Sequence, residues 1–320
     1  MTFPTTLDAI SPAFLSEVLQ KPVTAVTRVA LAEPWTNTVA VLTVTLADGA
    51  TQRLVAKVRR ADRGHTLQFE QELHFYERGA ARLSCVPRMR FGAMEGEEAF
   101  LLLLDHDDGA HLRQGFDLET SRRALQALAQ VHGTVWGDAL LRSGLRDKRV
   151  LPKQAAELVH GVRANWDMVA ARFPRHLEAP DLSTLHEEVS KLVPVTLTHN
   201  DLHAENILVS PHRIVFVDWQ NATWSTPAYD VANILAGCAH PAVQQGHWQE
   251  LLAYYGTALR EAGGPPLPGL EADVSTSTAL LFAWMMRYLA SASDREIADR
   301  AMVLEHWERV CSGVSVTRAG

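Results

Sequence analysis

The spacing of apolar and polar positions divides the chain into two unlike parts. Near the N-terminus, Ser11-Pro12 opens a short helix to about Gln20, with Ser as N-cap and Pro at the first helical position. Val23–Ala32, Thr38–Leu46 and Gln52–Val58 are rich in Val, Thr and Leu and are expected to be strands. Asp48-Gly49 joins the second and third, a turn dipeptide favoured because Gly takes positive φ without strain. From Thr66 to Ala81, Leu67, Phe69, Leu73 and Tyr76 recur mostly at three- and four-residue spacing, which predicts a helix. Arg88–Met94 and Ala99–Leu104 then form a second hairpin through Glu95-Gly96. The order β-β-β-α-β-β implies a small antiparallel sheet with a helix packed on it.

After Gly109 the pattern becomes helical. Leu118–Val135 carries a stripe of Leu125, Leu128, His132 and Val135. Further helices are expected over Ala155–Arg172, Leu182–Leu192, Tyr229–Ala236, Val243–Ala262, Ala272–Ala292 and Glu296–Val310. Short β runs fall at Val195–Thr198, Ile207–Val209 and Ile214–Val217, and Gly263-Gly264-Pro265-Pro266 separates two helices. The reading is an α+β chain with a β-rich N-terminal lobe over residues 1–105 and a mostly helical C-terminal lobe over 106–320. The hinge and cleft are expected near Leu103–Asp108, since ligand sites favour such junctions.

Composition narrows the class without naming a chemistry. The chain has 320 residues, is 47% apolar and carries a net charge of −7. Acidic and basic residues are interleaved, so no basic groove for nucleic acid is expected. The most apolar stretch, Ala99–Leu104, is too short to span a bilayer, and Met1–Ile10 lacks a signal-peptide pattern. Cys85, Cys238 and Cys311 are odd in number and far apart, which favours a reduced, cytoplasmic setting over a disulfide framework. His106, His111 and His132 share no metal-ligand spacing.

The chemistry is concentrated in Thr198-His199-Asn200-Asp201-Leu202-His203-Ala204-Glu205-Asn206-Ile207-Leu208, followed by Val215-Phe216-Val217-Asp218-Trp219-Gln220. Asn206 lies five residues after Asp201, and Asp218 twelve after Asn206, on a strand-loop-strand unit. Phosphoryl transfer needs such a set: a carboxylate to orient a hydroxyl and take its proton, and oxygen ligands for magnesium. Any one of these residues alone fits an ordinary polar loop. Independently, Lys57 sits in the apolar strand Leu54-Val55-Ala56-Lys57-Val58, and Glu72 on the following helix can pair with it, with Glu70 as the alternative partner. A lysine in such a strand also fits an edge position where its tip reaches solvent.

The His-x-Asp-x-His-x-x-Asn loop resembles the aminoglycoside phosphotransferase and choline kinase-like branch of the protein-kinase-like superfamily. The resemblance covers roughly residues 20 to 240. It implies a bilobal kinase fold, ATP as phosphate donor and Mg2+ as cofactor. It further implies Asp201 as the catalytic acid/base, Asn206 and Asp218 as magnesium ligands, and Lys57, held by Glu72, at the phosphates. His199 would support the loop from the core, His203 would brace it, and Asp230 would cap its helix and brace the loop. Leu101–Asp105 resembles the last strand entering the hinge, which places Asp105 among the nucleotide-binding residues. Two features depart from the pattern. The expected phosphate loop, Glu33–Thr38, has no glycine, and Asp218 is followed by Trp219-Gln220, a form similar to choline-kinase-like and ecdysteroid-kinase-like members. No Ala-Pro-Glu motif or activation segment follows, so a protein acceptor is disfavoured.

The function expected from this reading is transfer of a γ-phosphate to the hydroxyl of a small molecule. A neutral or cationic alcohol is expected, with an aminoglycoside-type antibiotic as one option. The cationic option rests on Glu271, Asp273, Asp294, Glu296, Asp299, Glu305 and Glu308, and the aromatic Trp284, Tyr288 and Trp307 suit either a quaternary ammonium or an apolar group. The alternatives are a catalytically inactive kinase-like binding protein and, further off, a protein kinase.

Overall fold

In a computed structural model, residues 3–31, 37–59, 66–96, 99–171, 180–293 and 301–318 are described. The small lobe begins with α1 (Pro12–Leu19), where Ser11 Oγ accepts from Phe14 N at 3.2 Å and Pro12 occupies the first turn. Five antiparallel strands follow: β1 (Val23–Ala30), β2 (Asn37–Leu46), β3 (Thr51–Arg59), β4 (Met89–Glu95) and β5 (Ala99–Asp105), in the order β1-β2-β3-β5-β4. Helix α2 (Thr66–Arg78) connects β3 to β4.

The two faces of this sheet explain how a lysine comes to lie in its middle. Successive side chains on a strand point to opposite faces. Leu54, Ala56 and Val58 of β3 join Leu42, Val44, Leu101 and Leu103 in the core beneath α1. Val55 and Lys57 therefore face the other way, toward α2. Lys57 lies opposite Val39 of β2 and Leu102 of β5, so its strand is interior to the sheet and not an edge.

The core on the α2 side runs without interruption into the large lobe, from Phe69, Phe75 and Phe100 to Leu125, Leu128, Phe216 and Trp219. The large lobe contains α3 (Leu118–Thr134), α4 (Ala139–Arg142), α5 (Pro152–Ala170), a short α6 (Leu185–Glu188), α7 (Pro227–Ala232), α8 (Pro241–Glu261), α9 (Leu270–Ser291) and α10 (Ala301–Arg318). Two small sheets sit among them: β6 (Thr196–Thr198) pairs with β9 (Thr223–Ser225), and β7 (Ile207–Val209) with β8 (Ile214–Phe216). A second apolar cluster joins α5, α9 and α10 through Val162, Phe282, Met286 and Trp307.

The hinge crosses close over β7. Ala110 and Val209 form an isolated bridge, and a Cβ on Gly109 would approach Leu208 Cβ to 2.9 Å. Only glycine admits that approach without displacing the chain.

Several boundaries differ from the sequence expectation. Residues 182–192 form only α6 and a following 3-10 turn, Val189–Lys191. Helix α7 passes into a π-helical segment, Asn233–Cys238, and α4 and β9 were not expected. Most of the expected phosphate loop, 33–36, and the start of the expected last helix, 296–300, lie outside the described residues.

Candidate active site

The functional side chains meet where α2, the loop after β6 and the loop after β8 come together. Lys57 Nζ donates to Glu72 Oε2 at 2.7 Å and to Asp218 Oδ1 at 2.6 Å. Glu72 is buried and Glu70 exposed, which decides between the two candidate partners. One cation thus serves two carboxylates. Burial by itself would lower the Lys57 pKa, but Asp218 and Glu72 outweigh it and hold the ammonium above its ordinary value. Glu72 is shifted upward, because burial and the nearby Asp218 exceed the pull of Lys57. Asp218 is shifted downward, the attraction of Lys57 overcoming burial.

Helix α2 grips the segment after Asp218 along its length. Phe75 stacks on Trp219 with ring centres 4.1 Å apart and planes 17° from parallel. Gln71 Nε2 donates to Ala222 O at 2.8 Å, and Gln68 Nε2 to Asn221 Oδ1 at 3.0 Å. Trp219 is fully buried, and its Nε1 donates to Phe216 O at 3.0 Å. The indole fills the space between α2 and the loop after β6, where it also meets the His199 ring at 4.6 Å between centres. Gln220 Oε1 accepts from Asn37 Nδ2 at 3.1 Å, linking this segment to the start of β2.

The loop after β6 is fixed by Asp230. Its Oδ2 accepts from His199 N at 2.6 Å and its Oδ1 from Asn200 N at 2.8 Å, while His132 Nε2 donates to Oδ2 at 3.4 Å. The bracing role expected of Asp230 is observed. The capping role is not, since Thr226 caps α7 by accepting from Ala228 N, and Asp230 lies in the first turn but not at the N-cap. His199 is buried, donates from Nε2 to Val217 O at 2.8 Å, and has its pKa lowered by burial. Asn200 and Asp218 both adopt left-handed backbone, with φ of 67° and 63°. Non-glycine residues rarely hold that conformation, and they do so where surrounding contacts over-determine it.

Asp201 is half-buried, and its Oδ2 accepts from Asn221 Nδ2 at 3.0 Å. No hydrogen bond engages Oδ1 among the described residues. Asn206 Nδ2 donates to Asp201 O at 2.8 Å and to His203 Nε2 at 3.1 Å. Both amide hydrogens being committed, the carbonyl oxygen of Asn206 is left as the group able to ligate a cation. Asn206 O accepts from Val217 N at 3.0 Å, continuing the β7–β8 ladder, so the hairpin sets Asn206 beside the residue preceding Asp218. Hard oxygen donors of this kind suit magnesium. Among the described residues no group of three or more His, Cys, Asp or Glu forms a full metal cage. Magnesium commonly takes one or two protein oxygens and completes its shell with phosphate and water.

Asp105 is not drawn into this cluster. Its carboxylate accepts from Arg90 Nε at 2.6 Å and Nη2 at 2.8 Å, and its N–H donates to Arg88 O at 2.9 Å. This is a two-pronged ion pair between neighbouring strands. Two residues that sequence reasoning did not single out do reach the site. Asn221 follows the Asp-Trp-Gln run directly and could have been found by that adjacency. Lys148, from the loop between α4 and α5, donates to Asn200 Oδ1 and had no signal at all.

No described helix is long and apolar enough to cross a membrane. Comparison with known proteins gives a consistent picture. Protein LicA of Haemophilus influenzae is 39% identical over 49 residues, a match spanning 15% of this chain and 18% of that protein. A Ralstonia eutropha JMP134 protein, solved as an assigned aminoglycoside phosphotransferase, superposes with a TM-score of 0.62 at 12% identity, covering 96% of this chain and 97% of its own. Spectinomycin phosphotransferase, solved with ADP and spectinomycin, gives 0.58 at 13% identity, with 97% and 99% covered. At such identities these likenesses speak for the fold. The model of the phosphotransferase enzyme family APH matches residues 29–270, and the chain accordingly belongs to that family.

Proposed function

We propose that the chain transfers the γ-phosphoryl group of ATP, in the presence of magnesium, to the hydroxyl of a small molecule. The observation that carries this is the Lys57 ammonium held between Glu72 and Asp218, with Asp201 and Asn206 on the adjoining loop. Lys57 is the residue that binds the donor phosphates, and Glu72 aims it. Asp201 orients the acceptor hydroxyl and takes its proton as the oxygen attacks phosphorus and the bond to the ADP oxygen breaks. Asn221, bonded to Asp201 Oδ2, fixes the rotamer so that Oδ1 is presented to the acceptor. Asn206 and Asp218 are the residues that hold magnesium, which when bound neutralises charge on the phosphates. Asp105 keeps its place only as part of the hinge strand, whose remaining backbone groups are the candidates for the base of the nucleotide.

A small acceptor is favoured because the segment after Asp218 folds at once into a 3-10 turn (Trp219–Asn221), β9 and α7, with Pro227–Ala232 buried throughout. Among the described residues that leaves no extended platform for a peptide. The case for a cationic acceptor weakens in three dimensions. Glu271 and Glu305 are exposed, and Glu271 is engaged by Gln249. Trp307 is buried in the core between helices, and Arg287 already lies over the Trp284 ring at 5.7 Å. The test is acceptor-dependent release of ADP from Mg-ATP over a panel of small alcohols. Turnover is expected with one chemical class. Turnover with protein acceptors only, or nucleotide binding without turnover on any acceptor, would overturn the assignment.

A further inference from the structure

Lys148 has no part in the phosphate chemistry above, yet it reaches the catalytic loop. The loop that carries it is laid against β9: Lys148 N donates to Trp224 O at 2.8 Å, and Ser225 Oγ donates to Lys148 O at 3.3 Å. From there the side chain extends to Asn200, the residue preceding Asp201, and its Nζ lies 3.6 Å from the centre of the Tyr229 ring. An ammonium has three donors, and one is used here. No carboxylate lies within ion-pairing distance of it among the described residues. Burial lowers its pKa to about 8, against the attraction of Asp230 and Asp201. The ammonium is therefore still the main form at neutral pH.

A half-buried cation without a counter-ion is costly to hold, and its natural complement is an anion. The surroundings bear this out. Lys148 opens onto a small cavity shared with Arg149, Thr226, Tyr229 and Leu280, whose lining holds two cations and no carboxylate. Its enclosed part is only about 20 Å³, room for a single water or one carboxylate oxygen, so a ligand would reach it with a terminal group and not with its body. Neutralising Asp230 is not what the lysine is for, since that carboxylate already accepts from two backbone N–H groups and His132.

We propose that Lys148 binds the acceptor: it receives an anionic terminal group, a carboxylate or a phosphate, while Asp201 engages a hydroxyl of the same molecule. The acceptor class is then a hydroxylated small anion. This rests on the kinase reading for the role of Asp201 but not for the existence of the anion site. Asn200 joins the two functions, because its side chain touches the cation and its backbone leads into Asp201.

The test uses acceptors that share a skeleton and differ only in charge: glycerate, glycerol and 3-amino-1,2-propanediol, and gluconate, glucose and glucosamine. With Mg-ATP and the full-length wild-type chain, the anionic member of each set is expected to be turned over with kcat/KM at least about tenfold above the others. Lys148→Met should remove that preference by raising KM for the anion, and Lys148→Arg should restore most of it. A preference for the neutral or cationic members, or a Lys148→Met variant that lowers kcat equally on all three, would show a residue that only positions the loop and would overturn the proposal. Thermal stabilisation by gluconate and by inorganic phosphate, compared between wild type and Lys148→Met, reads the site without turnover. Anion-dependent stabilisation lost in Lys148→Met, with no ADP released on any acceptor, would reject the kinase reading and leave the anion site standing. Equal stabilisation of both chains would reject the anion site whatever the turnover.

Discussion

Lys57 Nζ lies 2.6 Å from Asp218 Oδ1, an ion pair that ties the sheet of the small lobe to the loop after β8 in the large lobe. The same ammonium is 2.7 Å from Glu72, so the contact between lobes and the setting of α2 depend on one charge. A buried charge that loses one partner is left uncompensated, which is why each member of such a cluster is sensitive to removal of another.

Lys57→Ala is expected to lower kcat/KM for ATP by about a hundredfold or more, and Glu72→Ala to give a milder form of the same loss. Because the two side chains touch, their effects should not add. A double-mutant cycle on ATP binding should return a coupling of about 0.5–3 kcal/mol. Strictly additive losses would argue that Glu72 does not aim the lysine.

Asp201→Asn should reduce kcat by about three orders of magnitude with little change in nucleotide affinity, since the amide keeps the shape but cannot take the proton. Single-turnover measurement of phosphoryl transfer checks this. Retention of more than about a tenth of wild-type turnover would remove Asp201 from the role of base. Asn221→Ala, which frees the Asp201 carboxylate to rotate, should give a smaller loss in kcat.

Asp218→Ala should abolish the magnesium dependence of ATP binding, and Asn206→Ala should weaken it, as each removes an oxygen from the candidate metal position. Calorimetric titration with ATP in magnesium and in EDTA reads this directly. Equal affinity in both buffers for the wild-type chain would contradict the metal assignment.

Asp230→Ala should leave the backbone N–H groups of His199 and Asn200 without an acceptor in a buried setting. A loss of several kcal/mol in stability is expected, about 3–5 if the penalty resembles that of breaking a buried charged contact. Chemical denaturation compares it with Asp230→Asn, which keeps one acceptor oxygen and should lose less.

His306 gives a pH dependence with a definite sign. Burial, with His203 and Arg309 nearby, pushes its pKa from 6.5 down to about 3, and its Nδ1–H donates to Gly237 O at 3.1 Å. The unfolded chain binds the proton near 6.5 and the folded chain only near 3. The contribution to stability is therefore complete above about 6.5 and is lost as pH falls toward 3. Thermal midpoints should fall more steeply between pH 7.5 and 5.5 for the wild type than for His306→Gln. Identical slopes would place the titration elsewhere.

Much of this protein follows from short-range order in the chain. The hairpin at Asp48-Gly49, the alternation that turns Lys57 away from Leu54, Ala56 and Val58, and the run from His199 to Asn206 are all written in neighbouring residues, because strand period, turn chemistry and a loop between two short strands are local properties. The spacing of Asp201, Asn206 and Asp218 was legible for the same reason, since one hairpin carries the last two together. Other features had no such signal. Glu72 and Glu70 are both within reach of Lys57 by sequence, and only the docking of α2, through Phe75 on Trp219, buries one and exposes the other. The three-residue strand β9 exists because β6 supplies its partner, and residues 182–192, helical by pattern, form only α6 and a 3-10 turn although Leu182, Leu185 and Val189 are buried. The pairing of the Asp105 carboxylate with Arg90 on the adjoining strand likewise had no local signal. Lys148 lies 52 residues from Asn200, and no local rule links a lysine in a basic loop to the loop that carries Asp201. Close packing brings such residues together at a cost in chain entropy that only the whole core repays, so the tertiary structure alone could decide which charges surround Asp201.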